Sequence, residues 1–264
     1  MIFGLALPRR PLLLCASLAL VLSLLLPAST ARAGEALIAV AANVKPAVDR
    51  LRAAFEAESG HVLTVSVGST GKLFAQIVNG APFTILLAAD QDRPARLEAE
   101  GWAVPGSRFT YATGRLALWS PDPGAIPGGD GPAVLSAGGF RALAIANPAL
   151  APYGLAATET LEALGLAQEL ADRLVIGQNI GQAFALVATG NAELGFIARS
   201  LLPAFDAPLA GSRWLVPADL HAPIRQDAVL LRAGADNPAA LAFLHFLRGA
   251  EAAAILETQG YGAD

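Results

Sequence analysis

The sequence predicts an α/β protein of two lobes, each a mainly parallel sheet flanked by helices. Three observations predict it. Short, wholly apolar runs such as residues 36–41 and 143–146 read as strands buried on both faces. Each such run passes through a small-residue turn into a helical period, the rhythm of right-handed β-α-β units. Then a long extended stretch over 109–120 and a Pro- and Gly-rich loop over 121–132 separate a first set of these units from a second. The expected division is a first lobe over 34–112, a second over 113–221, and a return to the first over 222–264.

Residues 1–33 read as a cleavable signal peptide. Arg9 and Arg10 give a positive start, residues 12–26 are almost wholly apolar, and Pro27-Ala28-Ser29-Thr30-Ala31-Arg32-Ala33 has the small-residue cleavage pattern. The apolar run falls short of the ~20 residues of a membrane span. Arg9-Arg10 is only weakly like a twin-arginine signal, and Cys15 lacks the small neighbour of a lipidation site, so export of a soluble chain is expected. Cleavage leaves 231 residues without cysteine and moves the net charge from −4 to −7, since the segment holds Arg9, Arg10 and Arg32 and no acid. An acidic chain without basic runs is a poor nucleic-acid binder. Lacking disulfides, it must rest on its core, which 54% hydrophobic residues can supply.

The first strand, 36–41, ends at Ala42-Asn43-Val44-Lys45-Pro46, and Val48, Leu51 and Phe55 then mark a helix that Pro46 suits as a first-turn residue. Residues 62–67 alternate and are β-branched, a second strand; residues 84–90 are a third, leading to a helix over 94–100. In the second set, strands over 143–146, 173–176 and 194–197 alternate with turns at 147–154 and 177–182 and helices over 155–164 and 183–188. A strand over 227–231 returns to the first lobe. Asn237 then caps a helix opened by Pro238, with Leu241, Leu244 and Leu247 along one face, and a last helix covers 250–259. Ligands of such sheets bind beyond the carboxyl ends of the strands, where Asn43, Thr70, Tyr153 and Ile180 all fall.

The sharpest of these turns is Gly68-Ser69-Thr70-Gly71-Lys72-Leu73, between the second strand and a helix whose face carries Leu73, Phe74, Ile77 and Val78. A helix opening offers unpaired N–H groups and a positive dipole end, which suit an anion. A Walker A loop is excluded, since only two residues separate the glycines and Leu73 follows the lysine. Ser69-x-x-Lys72 matches the nucleophile motif of serine acyl-transfer enzymes of the penicillin-binding kind, but the partner motifs Ser-Asp-Asn and Lys-Thr-Gly are absent. An ordinary capped helix stays open as the plain alternative.

With these residues in view the whole mature chain resembles the molybdate-binding proteins, periplasmic receptors of ABC importers with the type II solute-binding fold. The resemblance is carried by Gly68 to Leu73, by Gln76-Ile77-Val78-Asn79-Gly80-Ala81-Pro82, by Ala146-Asn147-Pro148 with Ala151-Pro152-Tyr153-Gly154, and by Asn179-Ile180-Gly181-Gln182-Ala183. The paired C-terminal helices ending Gln259-Gly260-Tyr261 are shared more widely. The resemblance implies a ligand in the cleft between lobes, with oxyanion contacts at Asn43, Thr70, Tyr153 and Ile180, largely through main-chain N–H groups, and with Ala42 and Ser69 as additional candidates. Many members carry Ser where Thr70 stands and a hydroxyl where Ala42 stands. Ala198 stands where one branch has a ligand Tyr, which places this chain in the other branch, and Thr84 and Ala88 replace a more usual polar pair.

The chemistry of the four turns points the same way. None contains Asp or Glu, so the site offers donors only, matching a fully deprotonated dianion such as molybdate, tungstate or sulfate. Hydrogen phosphate keeps a proton that would want an acceptor. The expected function is therefore capture of molybdate, with tungstate, and delivery to a membrane permease of an ABC importer from the periplasm, by a monomer without enzymatic activity, cofactor or direct metal-cation ligands. The alternatives are a receptor for another tetrahedral oxyanion such as sulfate, or a serine acyl-transfer enzyme using Ser69 and Lys72. His61, His221 and His245 lack metal spacing, Trp102, Trp119 and Trp214 read as packing residues, and Glu56 and Glu58 as a solvated helix face.

Overall fold

The computed structural model describes residues 1, 2, 4, 33–202 and 211–262. The chain divides into two units between residues 32 and 33. The signal peptide expected over 1–33 lies almost entirely outside the described residues.

The second unit opens with β1 (Glu35–Ala41), α1 (Lys45–Ser59), β2 (Val62–Gly68), α2 (Thr70–Val78), β3 (Ile85–Leu87), α3 (Asp92–Ala99) and β4 (Phe109–Gly114). It continues with β5 (Leu116–Ser120), α4 (Gly131–Ala137), β6 (Leu143–Ala146), α5 (Pro152–Ala163), β7 (Leu174–Gly177), α6 (Ile180–Ala188), β8 (Leu194–Ala198) and β9 (Ser212–Leu215). The last elements are β10 (Ile224–Leu230), α7 (Pro238–Leu247) and α8 (Ala250–Thr258). The strands form two five-stranded sheets, ordered β2-β1-β3-β10-β4 and β7-β6-β8-β5-β9. Within each, the first three strands are mutually parallel and the fourth is antiparallel to both neighbours. This is the two-lobed α/β architecture expected, with the antiparallel strand in each sheet lying next to the chain crossings. Arg115 alone separates β4 of one sheet from β5 of the other.

Register places the functional ends. β1 and β2 pair from Glu35↔Val62 to Ala41↔Gly68, so both strands end level and the turns beginning at Ala42 and Ser69 lie side by side. β6 and β7 likewise finish together at Ala146↔Gly177. Each sheet is held by its own core. On the first, Val48, Leu51, Phe55, Phe243 and Leu247 bury one face and Leu73, Ile77, Leu86, Leu97 and Val229 the other. On the second, Trp119, Leu161, Val187 and Phe196 are enclosed, with Trp119 stacked on Phe184 at 5.2 Å between ring centroids.

The differences from the sequence reading have local causes. α5 and α6 begin three residues earlier than the apolar period implies: α5 opens on Pro152, whose fixed φ suits a first helical position, and α6 opens at Ile180 after a capping residue, Asn179, whose Oδ1 accepts the Gln182 N–H at 3.0 Å. α4, started by Asp130 accepting the Ala133 N–H at 3.1 Å, and the short polar strand β9 carry too little periodicity to be read. Glu56 is not merely solvated: its Oε1 accepts the Leu63 N–H at 2.8 Å and ties α1 to β2. His61 Nδ1 accepts the Gly34 N–H at 2.8 Å, a structural role. Among the described residues no single helix is long and apolar enough to cross a membrane. α7 and α8 pass that test only as a pair bent by 67°, and they bury Phe243, Leu244, Leu247 and Leu256 in the first core.

Candidate functional site

The six positions singled out from the sequence, Ala42, Asn43, Ser69, Thr70, Tyr153 and Ile180, line one small cavity between the two sheets. Ala41, Gly68, Ala89, Ala151, Pro152 and Asn179 complete its wall, and no charged side chain takes part. Thr70 is the first residue of α2, Ile180 the first of α6 and Tyr153 the second of α5. First-turn N–H groups have no partner inside their own helix and carry the positive end of its dipole. Some are used elsewhere. Gly71 N–H donates to Leu150 O at 2.9 Å, Gly154 N–H to Ala151 O at 2.8 Å and Gln182 N–H to Asn179 Oδ1 at 3.0 Å. That leaves the N–H groups of Thr70, Tyr153 and Ile180 for the cavity.

The two neighbouring hydroxyls are used differently. Thr70 Oγ1 accepts the Ala89 N–H at 3.0 Å, anchoring the start of α2 to the chain just beyond β3. Ser69 is 4% exposed, and among the described residues its Oγ is the single buried side-chain polar atom without a hydrogen-bond partner. A buried hydroxyl left unpaired costs about 1–3 kcal/mol, so it marks a place where a partner is meant to come. Asn43 sits in the turn Ala42–Val44 with its side chain already engaged: Nδ2 donates to Gln226 Oε1 at 2.9 Å and to Tyr261 Oη at 3.0 Å. The Tyr153 hydroxyl accepts from Gln226 Nε2 at 3.2 Å. Tyr153 and Asn43 therefore face the cavity with backbone, and support it with side chain.

Electrostatically the cavity is neutral and donor-rich. Burial pushes the Tyr153 and Tyr261 hydroxyls well above the ordinary phenol value, which keeps them protonated. The carboxylate next to the wall, Asp90, is taken by Arg93, whose N–H lies at 3.0 Å and whose Nη1 lies at 2.6 Å; burial raises its pKa and Arg93 offsets part of the rise. Arg93 Nη2 also donates to Ala149 O at 3.0 Å, and Gly71 lies so close to Leu150 that a Cβ there would stand 3.0 Å from its Cα and O. The layers of the two sheets thus touch across the mouth of the site.

The acyl-transfer reading finds no support in this geometry. Lys72 is exposed, while Ser69 Oγ lies buried without any base within hydrogen-bond reach, so nothing activates it as a nucleophile. Among the described residues no group of three His, Cys, Asp or Glu side chains is placed to hold a metal ion. Sequence reasoning missed Gln226, whose contacts span the chain, and gave Ser69 less weight than Thr70 because two adjacent hydroxyls at a helix start look alike in sequence.

Residues 36–262 match the bacterial extracellular solute-binding proteins. This chain belongs to that family. Within it, the chain is 48% identical over 235 residues to the molybdate-binding protein ModA of Azotobacter vinelandii, covering 89% of this chain and 92% of that one. It is 46% identical over 245 residues to ModA of Rhodobacter capsulatus, covering 93% and 94%. The solved structure of the Azotobacter vinelandii periplasmic molybdate-binding protein superposes with a TM-score of 0.83 at 39% identity, over 87% of this chain and 99% of that one. The cavity described above is walled by strand-to-helix turns from both sheets.

Proposed function

We propose that this solute-binding protein captures molybdate, with tungstate as a second ligand, and delivers it to the membrane permease of an ABC importer. The observation that carries the reading is the unpartnered Ser69 hydroxyl in a buried cavity walled by neutral donors and three helix starts. A tetrahedral dianion has acceptors only and needs no acid or base from the protein. Each charge-assisted bond stabilises by about 1.5–3 kcal/mol, so a handful reach submicromolar affinity after association costs. The likeness to two ModA proteins at 46–48% identity supports molybdate over other tetrahedral dianions.

In this reading the anion takes the main-chain N–H groups of Asn43, Thr70, Tyr153 and Ile180, with Ala42 beside them, and a hydroxyl from Ser69, which has no partner within the protein; the Thr70 oxygen accepts the Ala89 N–H and keeps its own O–H for donation. The chain works in the periplasm as a monomer after loss of residues 1–33. The lobe division at 112 falls inside β4, and the strand pairing supports Arg115 as the crossing, with the return between β9 and β10. Isothermal titration of the mature protein with molybdate, tungstate, sulfate and phosphate tests the assignment. Molybdate at about 1,000 times Kd should add roughly 4 kcal/mol of stability, several degrees in Tm. Absence of both heat and shift with millimolar molybdate and tungstate would remove the reading; sulfate binding in their place would select the alternative receptor.

A further inference from the structure

Behind the cavity, and taking no part in its wall, a buried side-chain amide joins the two sheets. Gln226 is fully buried on β10 of the first sheet. Its Oε1 accepts from Asn43 Nδ2 at 2.9 Å and from the Tyr111 hydroxyl at 3.1 Å, and its Nε2 donates to the Tyr153 hydroxyl at 3.2 Å. Asn43 follows β1 of the first sheet, whereas Tyr153 opens α5 on the second. One carboxamide therefore holds a cavity residue from each side. The local backbone is arranged for it. The β4–β10 ladder slips between Gln226 and Asp227, pairing Gln226 with Ala112 but Asp227 with Thr110, a bulge that sends the two side chains to different partners. Asp227 goes to Arg108 at 2.5 Å and Thr110 at 2.6 Å, away from the cavity. On β4, a Cβ on Gly114 would lie 2.1 Å from the Tyr153 hydroxyl and 2.6 Å from Gln226 Nε2, so a glycine there lets amide and phenol meet across the crossing strand.

We propose that Gln226 is a positioning residue: without touching the anion, its carboxamide sets the spacing between the Asn43 and Tyr153 donors, and so the width of the closed site. The proposal rests on the oxyanion reading above. Backbone donors on two separate sheets have no covalent reason to stand at one distance, and a hydrogen-bonded bridge between their own side chains supplies one. The bridge is complete only when the sheets stand as they do here, because parting them separates Nε2 from the Tyr153 hydroxyl inside a buried network, where a half-satisfied amide is costly. Asn43 is pinned from the other side too, its carbonyl accepting the hydroxyls of Tyr261 and Ser200, each at 2.9 Å. A site of set width discriminates by size, favouring molybdate over the smaller sulfate.

The test is calorimetric titration of the mature protein and of the variants Gln226→Leu, Tyr153→Phe and their double, with molybdate and with sulfate. Tyr153→Phe keeps the main-chain N–H and removes a single oxygen, so it folds even if Gln226→Leu does not. Molybdate affinity should fall about tenfold in each single variant, the molybdate-to-sulfate ratio should fall with it, and the double variant should be no worse than the singles. A loss of packing alone would lower both affinities and leave the ratio in place. Wild-type binding with unchanged affinity and ratio in Tyr153→Phe overturns the positioning role and leaves the oxyanion reading standing. A wild-type protein that binds neither anion overturns both.

Discussion

The Thr70 hydroxyl accepts the backbone N–H of Ala89 at 3.0 Å, so the first turn of α2 is fastened to the chain just beyond β3. Both groups are buried, and deleting the hydroxyl strands a donor. Thr70→Val should therefore cost about 1–3 kcal/mol of stability, while Thr70→Ser should keep the bond and lie near wild type. Chemical denaturation of the ligand-free protein measures this, and equal stability for the Val and Ser variants would contradict it.

Ser69→Ala should behave in the opposite way. Its hydroxyl has no partner to lose in the protein, so the ligand-free Tm should hold or rise. Molybdate affinity should drop roughly tenfold to a hundredfold through loss of one charge-assisted donor. Titration beside a melting curve separates the two serine and threonine roles; an affinity loss in Thr70→Ser larger than in Ser69→Ala would reverse them.

At Gly71 the layers of the two sheets meet beside the site, its N–H on Leu150 O at 2.9 Å. A methyl at this position would press on the Leu150 backbone at 3.0 Å. Gly71→Ala should hold the sheets apart at a cost of about 1–3 kcal/mol, seen as a fivefold to hundredfold loss of affinity. Small-angle scattering should show less compaction on adding molybdate than in the wild type. The same compaction with the same affinity would mean the approach is not needed for binding.

All three tyrosines of the chain, Tyr111, Tyr153 and Tyr261, have hydroxyls in the network around Gln226 and Asn43. Burial raises each above the ordinary value of 10.0. A folded-state pKa raised above the unfolded one gives stability that is complete below the unfolded value and lost as pH rises toward the folded value. Stability should thus be indifferent to these groups up to about pH 10 and fall above it. Tyrosinate absorbance should appear together with loss of structure; an early phenol titration in the intact fold would place a tyrosine in solvent.

The sequence by itself determined the two sets of β-α-β units, the four strand-to-helix turns and the donor-only character of the site. Buried strands declare themselves as apolar runs, turns as small residues, and a turn without Asp or Glu cannot supply an acceptor carboxylate. Tertiary structure alone decided how those turns are used. Ser69 and Thr70 are neighbours in one motif, and only the Ala89 N–H, 19 residues on, takes one hydroxyl and leaves the other. Gln226 shows no local signal at all, because its partners Asn43 and Tyr153 lie 183 and 73 residues away. Periodicity and turn chemistry report what a residue does to its own segment, whereas a side-chain hydrogen bond between segments depends on register, a bulge and the approach of two sheets, which exist only once the chain has folded.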